Sequence, residues 1–340
     1  MTIRDKRQEQ FANIWMDHGR YGILNLCPRF GKIRTTINIL NRFEDDQHIL
    51  IAYPDNKIKQ AWIDEFELMG YKNENVVYTT HRSLHKHVDT WDIIIIDEIH
   101  LLSQAQRDVC QELFEKNLYV LGLTGTLSKW TRRDLRLELG IEVMAEYTIQ
   151  EAIKEGVITD YEITVIQVPL DNTVINEYTK KNIKKTELQQ FNFLSSQINR
   201  MMYTGANTMF HRLARMRIIQ NSVSKLNKTK EILRNNPDER ILVFCGITKI
   251  ADALGIPSHH SKSKDKEAFN RFAEGEGNHM AVVKIGNTGV TYKPLNKVII
   301  NYFDSNAENL AQKINRCMAM EYDTPDKKSH IYIISSDTDV

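Results

Sequence analysis

One segment of the sequence carries the residue types that hold a phosphate group. It spans 27–32 (CPRFGK), follows an apolar run and leads into a helical pattern. Gly31 would let the backbone approach the phosphate, the helix N-terminus would supply N–H donors, and Lys32 would supply a positive charge. We expect the phosphate contacts at Arg29, Gly31, Lys32 and Ile33. Because Ile33 stands where a hydroxyl residue would reach Mg²⁺, a plain strand-to-helix turn with a solvated lysine is the alternative.

A second segment carries two adjacent acids. Four isoleucines at 93–96 run directly into Asp97 and Glu98. A continuous β-branched run predicts a buried central strand, and ligands bind at the carboxyl ends of such strands. Asp97 would hold Mg²⁺ and Glu98 would polarise an attacking water, because phosphoryl transfer depends on positioning and charge neutralisation. The alternative is that the two acids cap the N-terminus of a helix.

The elements that must position these residues alternate between short apolar runs and amphipathic stretches. In the first half of the chain the runs predict a parallel sheet, and the stretches between them have helical spacing. The predicted strands are 21–26, 48–53, 76–78, 91–96 and 118–123. The predicted helices are 32–43, 56–69, 101–116 and 129–139. The first half therefore reads as one α/β lobe.

A second α/β rhythm follows a looser stretch at 140–160. Its predicted strands are 163–168, 241–245, 280–284, 298–301 and 331–334. The polar stretch at about 172–235 has little Pro or Gly and predicts a helical insertion at the start of the second lobe. The predicted fold class is α/β, with two tandem parallel-sheet lobes at 1–155 and 156–340.

Length, composition and charge narrow the class of protein. A chain of 340 residues suits two domains, and its 41% hydrophobic and 26% charged residues are typical of soluble folded proteins. No apolar run reaches the roughly 18–20 residues of a membrane span, and the polar N-terminus is unlike a signal peptide, so we expect a cytoplasmic protein without membrane contact. Because the 45 basic residues nearly balance the 44 acidic ones, the net charge gives no argument about polyanion binding. Any such binding would depend on a local arrangement of basic residues. The four scattered cysteines are expected to be free thiols.

Further segments lie around these two in a fixed order. They are Arg7 with Gln8, 52–54 with 60–62, 78–84, 122–126, 241–245, 285–291 and 312–316. With Lys32 and the DEIH tetrapeptide at 97–100, the series resembles the motif series of superfamily 2 helicases over nearly the whole chain. The resemblance implies two RecA-like lobes that hydrolyse ATP with Mg²⁺ and act on a nucleic acid.

For the first lobe, the resemblance implies a role for each segment. Gln8 belongs to the element that reads adenine, and a plain surface helix is the alternative there. The implied contacts to the nucleic-acid backbone are Pro54, Asp55, Asn56, Thr80 and Arg82. Helix capping is the competing explanation for Thr80. The residues implied to couple hydrolysis to the second lobe are His100, Thr124, Gly125 and Thr126. Trp62 and Phe66 lie four residues apart and are expected in the core.

For the second lobe, the resemblance implies contacts from 285–291 and 312–316. Thr288 and Gly289 would touch nucleic acid, and Gly289 also the nucleotide. Gln312 and Arg316 would lie on a helix facing ATP from the opposite lobe. There the Arg316 guanidinium, which is always charged, would stabilise charge that develops on the γ-phosphate.

The second lobe also departs from the family pattern. Thr291 stands where an acid is usual, Asn315 replaces a glycine, and Ala319 replaces a second arginine. The version at 288–291 is similar to that of phage UvsW-like recombination and repair helicases. These departures, together with Ile33, leave the efficiency of the ATP site open.

The predicted insertion mixes basic and aromatic residues. The basic ones are Lys180, Lys181, Lys184, Lys185, Arg200, Arg212, Arg215 and Arg217, and the aromatic ones are Phe191, Phe193, Tyr203 and Phe210. Such a mixture could bind backbone phosphates and stack bases, or it could be an ordinary amphipathic pattern with a solvated face. His259 and His260, without acidic or cysteine partners nearby in sequence, are not expected to bind a metal.

These expectations combine into one function with several alternatives. We predict a monomeric, nucleic-acid-dependent ATPase motor that uses ATP and Mg²⁺ and unwinds or remodels DNA rather than RNA. No accessory domain is expected after the core, so targeting would depend on the insertion or on a partner protein, in the cytoplasm of a bacterial host if the chain is phage-encoded. The alternatives are a duplex DNA translocase that does not unwind, an RNA helicase, a remodelling factor with an impaired ATP site, and a small-molecule phosphotransferase.

Overall fold

The computed structural model describes most of the chain. The described residues are 1–44, 46–177, 184–263, 265, 267–283, 295, 297–302, 310, 313–314 and 328–338. They form two compact units, of which the first covers Met1–Thr159 and the second begins at Asp160. We call these units lobe 1 and lobe 2. None of the helices in the described part of the chain has the length and apolar content that a membrane crossing requires.

Lobe 1 is a six-stranded sheet with helices between its strands. The strands are β1 (Tyr21–Leu26), β2 (Ile49–Tyr53), β3 (Val76–Thr80), β4 (Ile93–Asp97), β5 (Val120–Thr124) and β6 (Val143–Tyr147). The helices are α1 (Ile3–Asp17), α2 (Lys32–Leu40), α3 (Lys57–Met69), α4 (Gln104–Glu115), α5 (Lys129–Leu139) and α6 (Ile149–Lys154). The strand order is β3-β2-β4-β5-β1-β6, and every neighbouring pair is parallel.

Strand β4 lies between β2 and β5 and carries the run of isoleucines. Ile93 and Ile95 belong to the core on one face of the sheet, and Ile94 and Ile96 belong to the core on the other. All four are at most 1% exposed. The alternation of a strand thus explains why an unbroken apolar run suits this position, since both faces are covered.

The carboxyl ends of the six strands meet at one edge because all the strands are parallel. The last residues of the strands at this edge are Leu26, Tyr53, Thr80, Asp97, Thr124 and Tyr147. Apart from Gln8, which lies on α1, the residues predicted to carry chemistry in lobe 1 lie at or just after these ends. The sheet therefore gathers residues that are far apart in the sequence.

Lobe 2 is a second six-stranded parallel sheet. Its strands are β7 (Tyr161–Val168), β10 (Ile241–Cys245), β11 (Ser258–His259), β12 (His279–Val283), β13 (Lys297–Ile300) and β14 (Ser329–Ser336), in the order β11-β12-β10-β13-β14-β7. Between β7 and β10 lie β8 (Asn176–Glu177), β9 (Lys184–Lys185), α7 (Glu187–Tyr203), α8 (Met209–Gln220) and α9 (Val223–Asn235), and α10 (Thr248–Ala253) and α11 (Ala268–Glu274) follow. The predicted fold class, α/β with two parallel-sheet lobes, is confirmed.

The helices between β7 and β10 have two different environments. On α9, Ile232 and Leu233 pack into the core of the sheet of lobe 2. Helices α7 and α8 pack on each other around a separate small core of Leu170, Leu194 and Ile218. We call this pair the α7–α8 hairpin, and its own core predicts that it can loosen without the sheet.

Replacing Leu194 by Ala should destabilise the α7–α8 hairpin alone. The side chain is 7% exposed and forms a third of a small core, so the cavity should cost about 2–3 kcal/mol of local stability. Hydrogen–deuterium exchange should be faster in α7 and α8 and unchanged in β10 and β12. The control is Leu213→Ala, at a side chain that is 37% exposed. Faster exchange throughout lobe 2 would show instead that the hairpin unfolds together with the sheet.

Candidate active site

The loop between β1 and α2 has a backbone that few side chains allow. Gly31 is the N-cap of α2 with φ of 101°, and Arg29 also has a positive φ, of 67°. A Cβ atom on residue 31 would lie 2.5 Å from Nε2 of Gln8. That same Nε2 donates a hydrogen bond to the Phe30 carbonyl at 2.9 Å, and Gln8 is 3% exposed. Gln8 therefore holds the loop from beneath and does not belong to a plain surface helix.

Lys32 begins α2 and forms an ion pair with Glu98, which follows β4. Burial lowers the pKa of Lys32, but the carboxylates of Glu98 and Asp97 outweigh it and raise the pKa above its ordinary value. For Glu98, burial raises the pKa, and the Lys32 ammonium with the His100 ring brings it below the ordinary value. Both groups are therefore charged at neutral pH. Lys32 is not a solvated surface lysine.

Asp97 is the last residue of β4 and is 5% exposed. Its Oδ2 accepts a hydrogen bond from the Trp62 indole at 3.1 Å, whereas its Oδ1 has no hydrogen-bond partner among the described residues. Burial raises the pKa of Asp97 to about 6, although the Lys32 charge opposes the rise. The Asp97 carbonyl is bonded to Nε2 of His81 at 2.9 Å. Since burial lowers the pKa of His81 to about 4, that ring is neutral and its Nε2–H donates.

The residues at this edge fit a divalent cation beside a phosphate. A buried carboxylate oxygen without a hydrogen-bond partner is costly in a protein core, and it is the ligand that Mg²⁺ prefers. Lys32 and the N-terminus of α2 add positive charge for an anion next to it. A hydroxyl residue often follows such a lysine and helps to hold the ion, but here that position is Ile33. Its apolar side chain packs against the core of lobe 1. The hydroxyls of Thr35 and Thr36 donate instead to the carbonyls of Gly31 and Lys32, at the start of α2.

Glu98 has a left-handed backbone, with φ of 51° and ψ of 49°. A residue with a Cβ atom pays about 1–2 kcal/mol for this conformation. The side chain that results reaches both Lys32 and, at 3.3 Å, Nδ1 of His100. The acids therefore do not cap a regular helix, which was the alternative reading of the sequence; a short 3-10 helix (Ile99–Leu101) follows instead.

His100 links Glu98 to the loop after β5. Its Nδ1 lies 2.9 Å from Oγ1 of Thr124, and that hydroxyl donates to the Thr126 carbonyl at 3.1 Å. A hydroxyl has a single hydrogen, so Nδ1 of His100 is the donor to Thr124. A Cβ atom on Gly125 would lie 3.0 Å from the Leu26 carbonyl, at the start of the phosphate-loop segment. The predicted coupling residues thus lie in contact with both predicted catalytic segments.

The predicted nucleic-acid contacts of lobe 1 lie after β2 and β3 at the same edge. Pro54 is partly buried and Asp55 and Asn56 are exposed. Arg82 is exposed in a short 3-10 helix (His81–Lys86). Thr80 precedes that helix, but its hydroxyl donates to the Ser83 hydroxyl at 3.3 Å and caps no backbone N–H. The competing explanation of Thr80 as a side-chain cap is therefore not realised.

Four of the predicted site residues fall outside the described residues. They are Thr288, Gly289, Gln312 and Arg316. Nearby, the described Lys313 is 3% exposed and donates from Nζ to the Tyr302 hydroxyl at 2.8 Å. In the paired histidines, His260 bonds to Asp252 at 2.9 Å, and the described residues contain no cluster of three or more side chains that could hold a metal ion.

Two residues that contact Asp97 were missed by sequence reasoning. The spacing of Trp62 and Phe66 correctly indicates a core position, since Trp62 is fully buried and the rings pack edge to face at 5.7 Å. The spacing does not reveal that the indole N–H bonds to a carboxylate. The available signal was chemical, because a buried Trp needs an acceptor and a neighbouring strand end offers one. His81 gave no comparable signal.

Replacing Asp97 by Asn should stabilise the protein at alkaline pH. An acid whose pKa is raised on folding stabilises the folded state only when protonated, so stability falls as pH rises from the unfolded pKa, near 4, to about 6. Above pH 7 the free energy of unfolding of the variant should exceed that of the wild type by about 1–3 kcal/mol. The gain should disappear at pH 4, measured by urea denaturation in EDTA. A gain that is equal at both pH values would contradict the buried charge.

Replacing Glu98 by Gly should leave a more stable protein than replacing it by Ala. Both variants lose the carboxylate, but the left-handed backbone is unfavourable only for Ala. The free energy of unfolding should therefore be about 0.5–1 kcal/mol higher for the Gly variant. Urea unfolding measures the difference. At Glu115, which ends α4 in an exposed position, the same pair of variants should show the opposite order, because Gly is the poorer helix residue. An Ala variant at position 98 that is as stable as the Gly variant, or more stable, would refute the strain at Glu98.

Comparisons with known proteins find similarity to a helicase domain family, a DNA translocase and a helicase structure. Residues 224–320 match the family model described as the helicase conserved C-terminal domain. The chain is 23% identical over 321 residues to the DNA 3'-5' translocase XPB2 of Sulfurisphaera tokodaii, an alignment that covers 81% of this chain and 69% of the relative. It is similar in structure to the Hef helicase domain of Pyrococcus furiosus, with a TM-score of 0.57, 13% identity and coverage of 99% of this chain and 97% of the other. The chain thus shares the fold of that helicase domain.

Proposed function

We propose that the chain is a nucleic-acid-dependent ATPase motor that unwinds or remodels DNA. The observation that carries the proposal is the cluster of the ion pair Lys32–Glu98 with the buried carboxylate of Asp97, beside a loop shaped to approach a phosphate. The similar proteins support it, because one is a DNA translocase and the other is a helicase domain. The motif at 288–291 leads us to propose the phage UvsW-like subgroup in particular.

The phosphates of ATP are proposed to bind at the loop and the N-terminus of α2. Arg29, Gly31 and Ile33 would contribute to this cradle, and Gln8 would hold it and meet the nucleotide. Lys32 would exchange its partner Glu98 for phosphate oxygens. Glu98 would then be free to accept a proton from the attacking water, with His100 keeping its carboxylate in place.

Asp97 is the residue proposed to hold Mg²⁺, through the buried Oδ1. When bound, the ion supplies positive charge that neutralises the phosphate oxygens during transfer. Trp62 fixes the carboxylate by bonding to its other oxygen, and His81 fixes the backbone of the same residue. Asp97 is therefore oriented before the substrate arrives, so little reorganisation is needed.

The remaining roles follow from the sequence resemblance. Gln312, Arg316 and Gly289 are proposed to contact the nucleotide, with Arg316 as the arginine finger. The proposed contacts to the nucleic-acid backbone are Pro54, Asp55, Asn56, Thr80, Arg82, Thr288 and Gly289. His100 and 124–126 are proposed to transmit the state of the ATP site. Phosphate contacts of this kind predict binding that depends on salt and little on base sequence.

A remodelling factor with an impaired ATP site is the second candidate function. The observation that favours it is Ile33, whose apolar side chain packs against the core of lobe 1 where a hydroxyl would help to hold Mg²⁺. Phosphate release by the wild-type chain decides between the two. A measurable rate that rises with DNA supports the motor, and no release with any nucleic acid supports the remodelling factor.

ATP hydrolysis should fall to about 1% of the wild-type rate or less in Lys32→Ala and in Glu98→Gln. The first change removes the charge proposed to hold the phosphates, and the second removes the base. Steady-state phosphate release measures both. Matched controls are Lys129→Ala and Glu115→Gln, at exposed helical positions of lobe 1, which should keep the wild-type rate.

The same assay should compare single-stranded DNA, duplex DNA, branched DNA and RNA at one salt concentration. DNA is expected to stimulate hydrolysis more than RNA. Triplex displacement compared with fork unwinding then separates a duplex translocase from a helicase. If both Lys32→Ala and Glu98→Gln hydrolysed ATP at the wild-type rate, the hydrolysis site would not be the one proposed at these residues.

A further inference from the structure

The segment from Lys184 to Lys230 has a charge balance unlike that of the chain. It contains nine lysines and arginines and a single acid, Glu187, whereas the whole chain has a net charge of +1. Glu187 is 4% exposed, and its carboxylate accepts hydrogen bonds from the backbone of Val223 at 3.0 Å and of Asp171 at 3.3 Å. The only negative side chain of the segment is therefore buried and bonded to backbone N–H groups, so it does not offset the positive charge at the surface.

The arginines of the α7–α8 hairpin present that charge to solvent. Arg200, Arg212 and Arg217 are exposed. Within the described part of the chain, none of the three forms an ion pair with a carboxylate. An ordinary solvated helix face would be expected to alternate the two signs of charge. This surface attracts anions without internal competition.

Large apolar side chains lie exposed at the far end of the same hairpin. Tyr203 ends α7 and is 93% exposed, and Phe210 is the second residue of α8 and is 79% exposed. Neither belongs to the small core of the hairpin. Beside them is a groove of about 370 Å³ lined by Asn207, Thr208, Met209, Arg212, Leu213 and Met216. Packing between the two helices therefore does not account for these rings.

We propose that the α7–α8 hairpin binds single-stranded nucleic acid. Arg200, Arg212 and Arg217 would contact phosphates, and Tyr203 and Phe210 would stack on unpaired bases. The positive charge selects a polyanion, and flat exposed rings at the hairpin end suit bases that are not already stacked in a duplex. The inference deepens the proposed function and rests on it, since it names a second surface for the same nucleic acid.

Fluorescence anisotropy with labelled dT20, without nucleotide, tests the proposal. The double variant Tyr203→Ala with Phe210→Ala should bind dT20 at least about tenfold more weakly, because base stacking on an aromatic ring contributes strongly to single-strand binding. Its affinity for a 20-base-pair duplex should change less than threefold. The triple variant Arg200→Gln, Arg212→Gln and Arg217→Gln should lower the slope of log affinity against log salt by about 2, since each phosphate that an arginine neutralises on a single strand adds about 0.7 to that slope.

The matched control replaces an exposed aromatic and an exposed arginine of lobe 1. Trp130→Ala with Arg133→Gln, on α5, should leave dT20 affinity and its salt slope unchanged. Circular dichroism checks that each variant is folded. Crosslinking of wild-type protein to dT20 carrying 4-thiothymidine, followed by mass spectrometry, gives a readout independent of the variants and should label the peptide that contains Tyr203 or Phe210.

The results separate this proposal from the proposed function. Wild-type affinity in both hairpin variants, or crosslinks confined to other peptides, would overturn the hairpin site and would point to a protein partner for that surface. The ATPase assay is independent of this outcome, because it reads the site at Lys32 and Glu98. ATP hydrolysis by the wild-type chain, together with unchanged dT20 affinity in the Tyr203→Ala, Phe210→Ala variant, would contradict the hairpin site alone and leave the ATPase motor standing.

Discussion

One cation, Lys32, faces two carboxylates, the partly exposed Glu98 and the buried Asp97, at the carboxyl edge of lobe 1, and the site is arranged around that imbalance. Lys32 pairs with Glu98, and Asp97 is left with a hydrogen bond from Trp62 and one oxygen without a partner among the described residues. Burying an uncompensated charge costs free energy. Such a charge does not contribute to the stability of the fold. The same imbalance is what a divalent cation and a polyphosphate would relieve.

The loops around the cluster are fixed by backbone contacts more than by side-chain packing. Gln8 bonds to the carbonyl of Phe30, Gly125 lies against the carbonyl of Leu26, and Glu98 has a left-handed backbone. Each of these features depends on a residue with little freedom to vary. The parallel sheet brings the strand ends together, and these contacts set the positions of the side chains to within hydrogen-bonding distance.

The strands of both sheets that carry long apolar runs could be predicted, because a strand covered on two faces leaves a continuous signal. Strand β6 (Val143–Tyr147) could not be predicted in this way, because it lies at the edge of its sheet and four of its five residues are not buried. The acids, Lys32 and the segments around them could be placed from the sequence. The bond from Trp62 and the support from Gln8 could not, because both pair residues whose proximity only the folded sheet creates. Helix α9 was counted with the insertion, yet its apolar side chains complete the core of lobe 2.

The contact between helix α1 and the phosphate loop also constrains how the sequence can change. Any residue larger than glycine at position 31 would place a Cβ atom 2.5 Å from the amide of Gln8. A shorter residue at position 8 would make room for it, but would leave the carbonyl of Phe30 without its donor. The two positions, 23 residues apart, are therefore both constrained, because the φ of 101° at Gly31 disfavours a side chain there even beside a shorter residue 8. A pair of this kind is a marker of the loop geometry that a comparison of single motifs would overlook.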